Sequence, residues 1–208
     1  MDLALQGITF GLAAAIGWGA SDFFGGIASK RSPVFGVVIF SQLVGFVLLA
    51  GLAGLLQEPF PSPTNLAWAA AAGICGGISL VSMYRALAIG RMGIVAPVTA
   101  VVSVIVPVMF GILGEGLPSP QKLLGFGLAL LSIWLVSQKH GETELELASL
   151  GLAVLSGFTG GIVLVLLGHI SNDAVFWPLA GMRLTSFTML LLAITIMNPL
   201  KKGQWGTE

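Results

Sequence analysis

Seven apolar runs, each long enough to cross a membrane as a helix, dominate this sequence. They read as roughly 4–28, 34–56, 66–88, 93–113, 121–138, 147–168 and 175–197. A spanning helix needs about 20 apolar residues, so seven of them occupy most of the 208 residues and leave no room for a soluble catalytic domain. Each run is hydrophobic around its whole circumference, as a helix in lipid must be, because unsatisfied backbone in hydrocarbon is prohibitively costly. The ten-residue alternating segments of a transmembrane β-barrel do not occur. Only 9% of the residues are charged, where soluble domains carry roughly a quarter. Nine basic and nine acidic residues cancel to zero, which argues against a nucleic-acid partner. The single Cys75 lies inside a run, so neither an intramolecular disulfide nor a multi-cysteine metal site can form. The expected fold is an all-α integral membrane protein of about seven transmembrane helices. Its expected partner is the lipid bilayer, and no cofactor or metal is called for.

Charge and turn chemistry mark the connections. They are Ser29-Lys30-Arg31-Ser32-Pro33, Gln57 to Pro63, the tight Gly90-Arg91-Met92-Gly93, Gly114 to Lys122, Gln138 to Glu146, and Ser171-Asn172-Asp173. The first run is too long for a cleaved signal peptide and has no basic leader, opening on Met1-Asp2-Leu3. Orientation follows from Lys and Arg near the span ends. The odd-numbered connections and the C-terminal tail hold Lys30, Arg31, Arg85, Arg91, Lys139, Lys201 and Lys202. The opposite face holds only Lys122, and Arg183 falls inside the seventh run. This split places the odd connections and the C-terminus in the cytoplasm and the N-terminus outside.

The sequence also repeats itself. Gly11-Leu12-Ala13 recurs as Gly151-Leu152-Ala153, an offset of 140 that also aligns Gly17 with Gly157 and Trp18 with Phe158. A one-residue slip aligns Gln42 with Arg183 and Phe46 with Phe187. Five runs fit within that offset, so a second copy enters the membrane from the opposite face. This is the inverted-topology repeat of secondary transporters, which bind their solute near the midplane between the copies. On this reading residues 1–140 form a complete five-helix repeat, 141–198 the first two helices of a second, and 199–208 a polar tail. Two full copies would take about 280 residues, which leaves two readings open: a fragment of a ten-span protein, or a short form completed by association.

Polar groups within the runs are the candidate functional residues, because charge inside a bilayer is costly. Asp22 lies next to Ser21 and one turn from Trp18. It reads either as a proton- or cation-coupling carboxylate beside a stacking indole, or as an interfacial group paired with Lys30. Arg183 lies deep in the seventh run, placed to hold a solute carboxylate or to pair with Asp22; otherwise that run starts later and Arg183 sits at the headgroups. Tyr84 is a candidate hydrogen-bonding partner of the solute, while Arg85 beside it also fits as an orientation-setting cation. Pro97 and Pro107 interrupt the fourth run, with Thr99 and Ser103 between them on one face, either lining a cavity or bonding back to their own helix. Glu115 reads as a partner of Lys122. The pairs Gly73/Gly77 and Gly157/Gly161 read as close helix packing within the fold. Trp68, Trp134 and Trp177 read as interface anchors.

The first copy resembles the EamA-like branch of the drug/metabolite transporter superfamily. The likeness is carried by Trp18-Gly19 followed by Lys30, by Tyr84-Arg85-Ala86-Leu87 followed by Val95-Ala96-Pro97, and by Gly114-Glu115 followed by Gly125 and the apolar stretch to Val136. Arg183 stands where that family often has an arginine, and Gln42 takes the corresponding place in the first copy. The sequence departs from the family pattern in having Val102 and Ser103 where a second proline is usual, with Pro107 further on. It also lacks three spans of a second repeat. The resemblance implies ten helices that move a small organic solute by alternating access, coupled to an ion gradient or to exchange. It also implies termini in the cytoplasm, against the charge count for the N-terminus.

Chemistry of other kinds finds no residues to carry it. His140 and His169 sit at or beyond run ends, paired intramembrane carboxylates are lacking, and neither G-x-S-x-G nor H-E-x-x-H occurs. The seventh run has no lysine for a retinal Schiff base. The expected function is secondary transport of a small-molecule solute, expected in the bacterial inner (plasma) membrane. Trp18, Ser21, Asp22, Tyr84, Thr99, Ser103 and Arg183 are the candidate binding residues, with Gly90, Gly93 and Pro97 as the gating hinge. The alternative is a non-transporting subunit or half-transporter active only in an oligomer, a homo-oligomer included. The orientation is directly testable. In a Cys75→Ala background, a cysteine at Ser32 should react with a membrane-impermeant maleimide only in inverted vesicles, and one at Ser62 only in intact cells; the opposite pattern would overturn the charge count.

Overall fold

The computed structural model describes residues 3–137, 147–171 and 173–203. They form seven α-helices: α1 (Leu3–Arg31), α2 (Val34–Leu55), α3 (Pro63–Ile89), α4 (Met92–Glu115), α5 (Pro120–Ser137), α6 (Leu147–Leu167) and α7 (Phe176–Gly203). No strand occurs among the described residues, and the chain is an all-α integral membrane protein. All seven runs expected from the sequence form helices, and among the described residues five of them (α2, α3, α4, α6 and α7) are long and apolar enough to cross a membrane. The described part of α5 contributes the shorter apolar stretch Leu123–Ser132, and α1 carries Ser21 and Asp22 in its second half. Side chains of Glu115, Lys122 and Trp134, and residues 138–146, lie outside what the structure describes.

Local chemistry sets the helix ends. Ser62 caps α3 by accepting the Asn65 N–H at 3.3 Å, with Pro63 in the first turn where its missing N–H costs nothing. Gly116 ends α4 at φ 87°, a left-handed conformation that glycine adopts without penalty. Helices α1 and α2 are separated only by Ser32 and Pro33. Below, the face carrying the α2–α3, α4–α5 and α6–α7 connections is called the even face.

Helix α6 packs against α3 and α4, and α7 against α2 and α3. Burying leucine gains little where the solvent is itself hydrocarbon, so close backbone approach and interhelical hydrogen bonds must hold these contacts. Both are present. A Cβ on Gly73 of α3 would lie 2.5 Å from the Met182 carbonyl oxygen of α7. Added to Gly157 or Gly161 of α6, it would lie 2.6 Å from the Cβ of Val102 or Val106 on α4. Ser186 donates to the Gly73 carbonyl at 2.5 Å, and Ser79 to the Ser156 carbonyl at 2.9 Å. The small-residue pairs thus serve packing within the chain. Helix α1 makes lighter contacts with α3 and α2, and around Gly11, Gly17 and Gly19 a Cβ would meet nothing within 4 Å.

On the even face a carboxylate in the α2–α3 connection caps a distant helix. Glu58 accepts N–H groups from Val175 (2.5 Å), Phe176 (3.0 Å) and Trp177 (2.8 Å), the first turn of α7. The Trp177 indole donates to the Glu58 carbonyl at 3.2 Å and packs edge-on against Phe60. Asn65 and Ser171 exchange hydrogen bonds at 2.7 and 3.4 Å, and Trp68 stacks on His169 at 4.8 Å. Trp68 and Trp177, read as interface anchors, therefore also join helices. A negative group at a helix N-terminus meets both unpaired N–H donors and the positive end of the macrodipole.

Desolvation pushes the Glu58 carboxyl up, but the three N–H donors outweigh it and hold the pKa below the ordinary 4.5. A depressed folded-state pKa means the stabilisation is fully present above pH 4.5 and is lost as pH falls through the folded value. Glu58→Ala should cost about 1 kcal/mol, the usual worth of a cap. Glu58→Gln should lower the melting temperature at pH 7 and flatten its fall below pH 4.5, with Trp177 fluorescence as the probe. An unchanged acid limb in Glu58→Gln would remove the cap from this role.

Candidate functional site

Three helices bring polar side chains together inside the bundle. Tyr84 of α3 is buried, 3% exposed, and its hydroxyl pairs with the side chain of Ser21 on α1. Asp22 of α1 and Arg183 of α7 both lie near enough to act on Tyr84 electrostatically. Gly25, one turn beyond Ser21, makes the approach possible: a Cβ there would stand 2.8 Å from Tyr84 Cε1 and closer still to the hydroxyl end. Gly26 likewise admits Met92 and Leu87 against α1. The phenol is thus held with its hydroxyl end toward α1, and Tyr84 belongs to the buried cluster that includes Val38, Met83, Leu87 and Val95.

Arg183 sits seven residues past Phe176, roughly 10 Å along α7, which is too deep for easy snorkelling. It does not pair with Asp22. Its Nη1 donates to Gln42 Oε1 on α2 at 2.6 Å. Gly45, one turn along α2, gives the arginine stem room, its would-be Cβ being 3.4 Å from both Cδ and Nε. Insertion of a charged arginine costs about 2.5–3.5 kcal/mol at the centre of a membrane helix. A neutral amide offsets only part of that.

The remaining candidates are placed differently. Trp18 is 66% exposed on α1 and is not packed against the cluster. Thr99 donates to the Ala153 carbonyl of α6 at 3.2 Å, and Ser103 to the Ala100 carbonyl of its own helix at 2.9 Å. These two hydroxyls sit in or beside the α4–α6 contact, apart from Tyr84. Arg85 is exposed. Gly90 packs so tightly on buried Ser149 of α6 that a Cβ there would be 2.7 Å from the serine Cβ. Gly93 and Pro97 follow in α4, which remains helical through both Pro97 and Pro107. A separate groove of about 570 Å³ lies at the even end of α4, between Pro107, Ile112, Phe126 and Leu164, and among the described residues Ser119 is the one polar side chain lining it. Among the described residues no group of three or more His, Cys, Asp or Glu forms a metal site.

A bundle of long apolar helices, with polar side chains from α1, α3 and α7 converging inside it, defines a polytopic membrane protein rather than a soluble or single-anchor one. Residues 5–138 match the EamA-like transporter family, well over half of the chain, and the chain belongs to that family. It is a membrane transporter of the drug/metabolite type, from a family of transporters and not of enzymes. No curated protein and no solved structure matches it.

Gly25 and Glu58 are not among the residues singled out from the sequence, and Gln42 enters there only as the repeat counterpart of Arg183. The Gly25-Gly26 pair three residues past Asp22 was the available signal for a close approach. Gly25→Ala should destabilise the protein by about 1–3 kcal/mol through overpacking against Tyr84. Gly11→Ala, in open space, should leave the melting temperature within a degree or so; equal effects at the two positions would contradict the packing.

Proposed function

We propose that the chain is a secondary transporter of small organic solutes, working by alternating access in the bacterial inner membrane with proton or exchange coupling. The observation that carries this is the pairing of buried Tyr84 on α3 with Ser21 on α1, with Asp22 of α1 and Arg183 of α7 near enough to act on Tyr84 electrostatically. Asp22 is the coupling carboxylate, Tyr84 and Ser21 hydrogen-bond the solute, and Trp18 offers a stacking face at the cluster's edge. Thr99 and Ser103 contribute by fixing α4 against α6. The tight Gly90–Gly93 turn and Pro97 form the hinge about which α3 and α4 rock. The contact between Gln42 and Arg183, aligned in the internal repeat, supports taking α6 and α7 as counterparts of α1 and α2. Residues that correspond in two inverted copies meet where the axis relating the copies passes between them.

A second reading is a half-transporter active only in an oligomer, homo-oligomers included. It is favoured by Gly17 of α1, which is open while its aligned counterpart Gly157 in α6 is tightly covered. Proteoliposomes with an imposed pH gradient separate the two: uptake by monodisperse single chains supports the first, and activity confined to the oligomeric fraction supports the second. In either case Asp22→Asn should abolish gradient-driven accumulation. Accumulation at the native level would remove Asp22 from coupling.

A further inference from the structure

The chemical class of the solute follows from what Arg183 lacks. Its Nη1 is held by Gln42, but its Nε is buried with no hydrogen-bond partner. Asp22 acts on Tyr84, yet Tyr84 rather than any carboxylate is the ionisable group that acts on Arg183. Among the described residues no carboxylate reaches ion-pair distance of the guanidinium. A permanently charged group at membrane depth, with one edge unsatisfied and only an amide oxygen for company, lacks an anion. The edge of a guanidinium that carries Nε and the second terminal nitrogen matches the two oxygens of a carboxylate.

We propose that Arg183 is the anion-binding point of the site, and that the solute is an organic carboxylate; this rests on the transport reading of the same cluster. In the present conformation Gln42 holds Nη1, while the edge that carries Nε is unpartnered and covered. An arriving carboxylate takes that edge as α2 and α7 part, while Tyr84 and Ser21 meet the polar remainder of the molecule.

The test uses the purified full chain in lipid nanodiscs, with thermal unfolding as the readout and benzoate, hexanoate, benzamide, hexanamide and hexylamine as probes. At ten times its Kd a carboxylate should raise the melting temperature by about 3–6 °C; the amides and the amine should not. Gln42→Glu is the decisive variant, because it supplies a resident carboxylate to Nη1. It should raise the melting temperature without ligand and abolish the response to benzoate and hexanoate. Arg183→Gln should also abolish the response, and Arg183→Lys should weaken it by at least tenfold in Kd. An absent carboxylate response, an equal response to the amides, or an undiminished response in Gln42→Glu would each overturn the proposal. Uptake of neutral solutes without a carboxylate response would sink the anion site and spare the transport reading. Carboxylate binding without uptake in any oligomeric state would do the reverse.

Discussion

In hydrocarbon there is no water to expel, so this bundle depends on how near its backbones can come to one another. Gly73 and Gly77 let α7 lie against α3, and Gly157 and Gly161 let α6 lie against α4. Hydroxyls that would be unremarkable in a soluble protein then reach carbonyls of the neighbouring helix, as Ser186 reaches Gly73 and Thr99 reaches Ala153. The same rule places the candidate site. Tyr84 meets Ser21 only because Gly25 has no side chain, and Arg183 meets Gln42 with its stem against Gly45.

The cluster gathers two charges of opposite sign and keeps them apart. Asp22 and Arg183 each act on Tyr84, but the arginine is bonded to an amide and not to the carboxylate. A direct ion pair would satisfy both groups internally and leave little for a ligand to do. Held separately, each retains the capacity to engage something that arrives. This separation is what joins the family's transport role to the proposed preference for a carboxylate.

Much of the fold was legible because membrane helices advertise themselves by length. Helix limits from hydropathy and turn chemistry fall close to those observed, and the close-packing role of the glycine pairs was readable from their four-residue spacing. The repeat was informative in a less expected way: a one-residue slip aligned Gln42 with Arg183, and those two side chains touch. The site was less legible. Hydropathy identifies which residues are polar but not which way they face, so Thr99 and Ser103 looked equivalent to Tyr84 although their hydroxyls bond carbonyls in the α4–α6 region. Asp22 and Arg183 invited pairing because both are charged, and the position of a neutral glutamine decided otherwise. Glu58 left no trace at all, since a cap supplied from a distant connection has no local sequence signature.

That distant cap has a consequence for biosynthesis. The first turn of α7 draws its acceptor from residue 58, more than a hundred positions earlier in the chain. When α7 emerges from the ribosome, the α2–α3 connection has already been made. Helix α7 therefore docks onto a segment that was synthesised well before it. Its N-terminal turn gains its acceptor only at that late step, and a nascent chain halted before Trp177 would leave Glu58 without its partner.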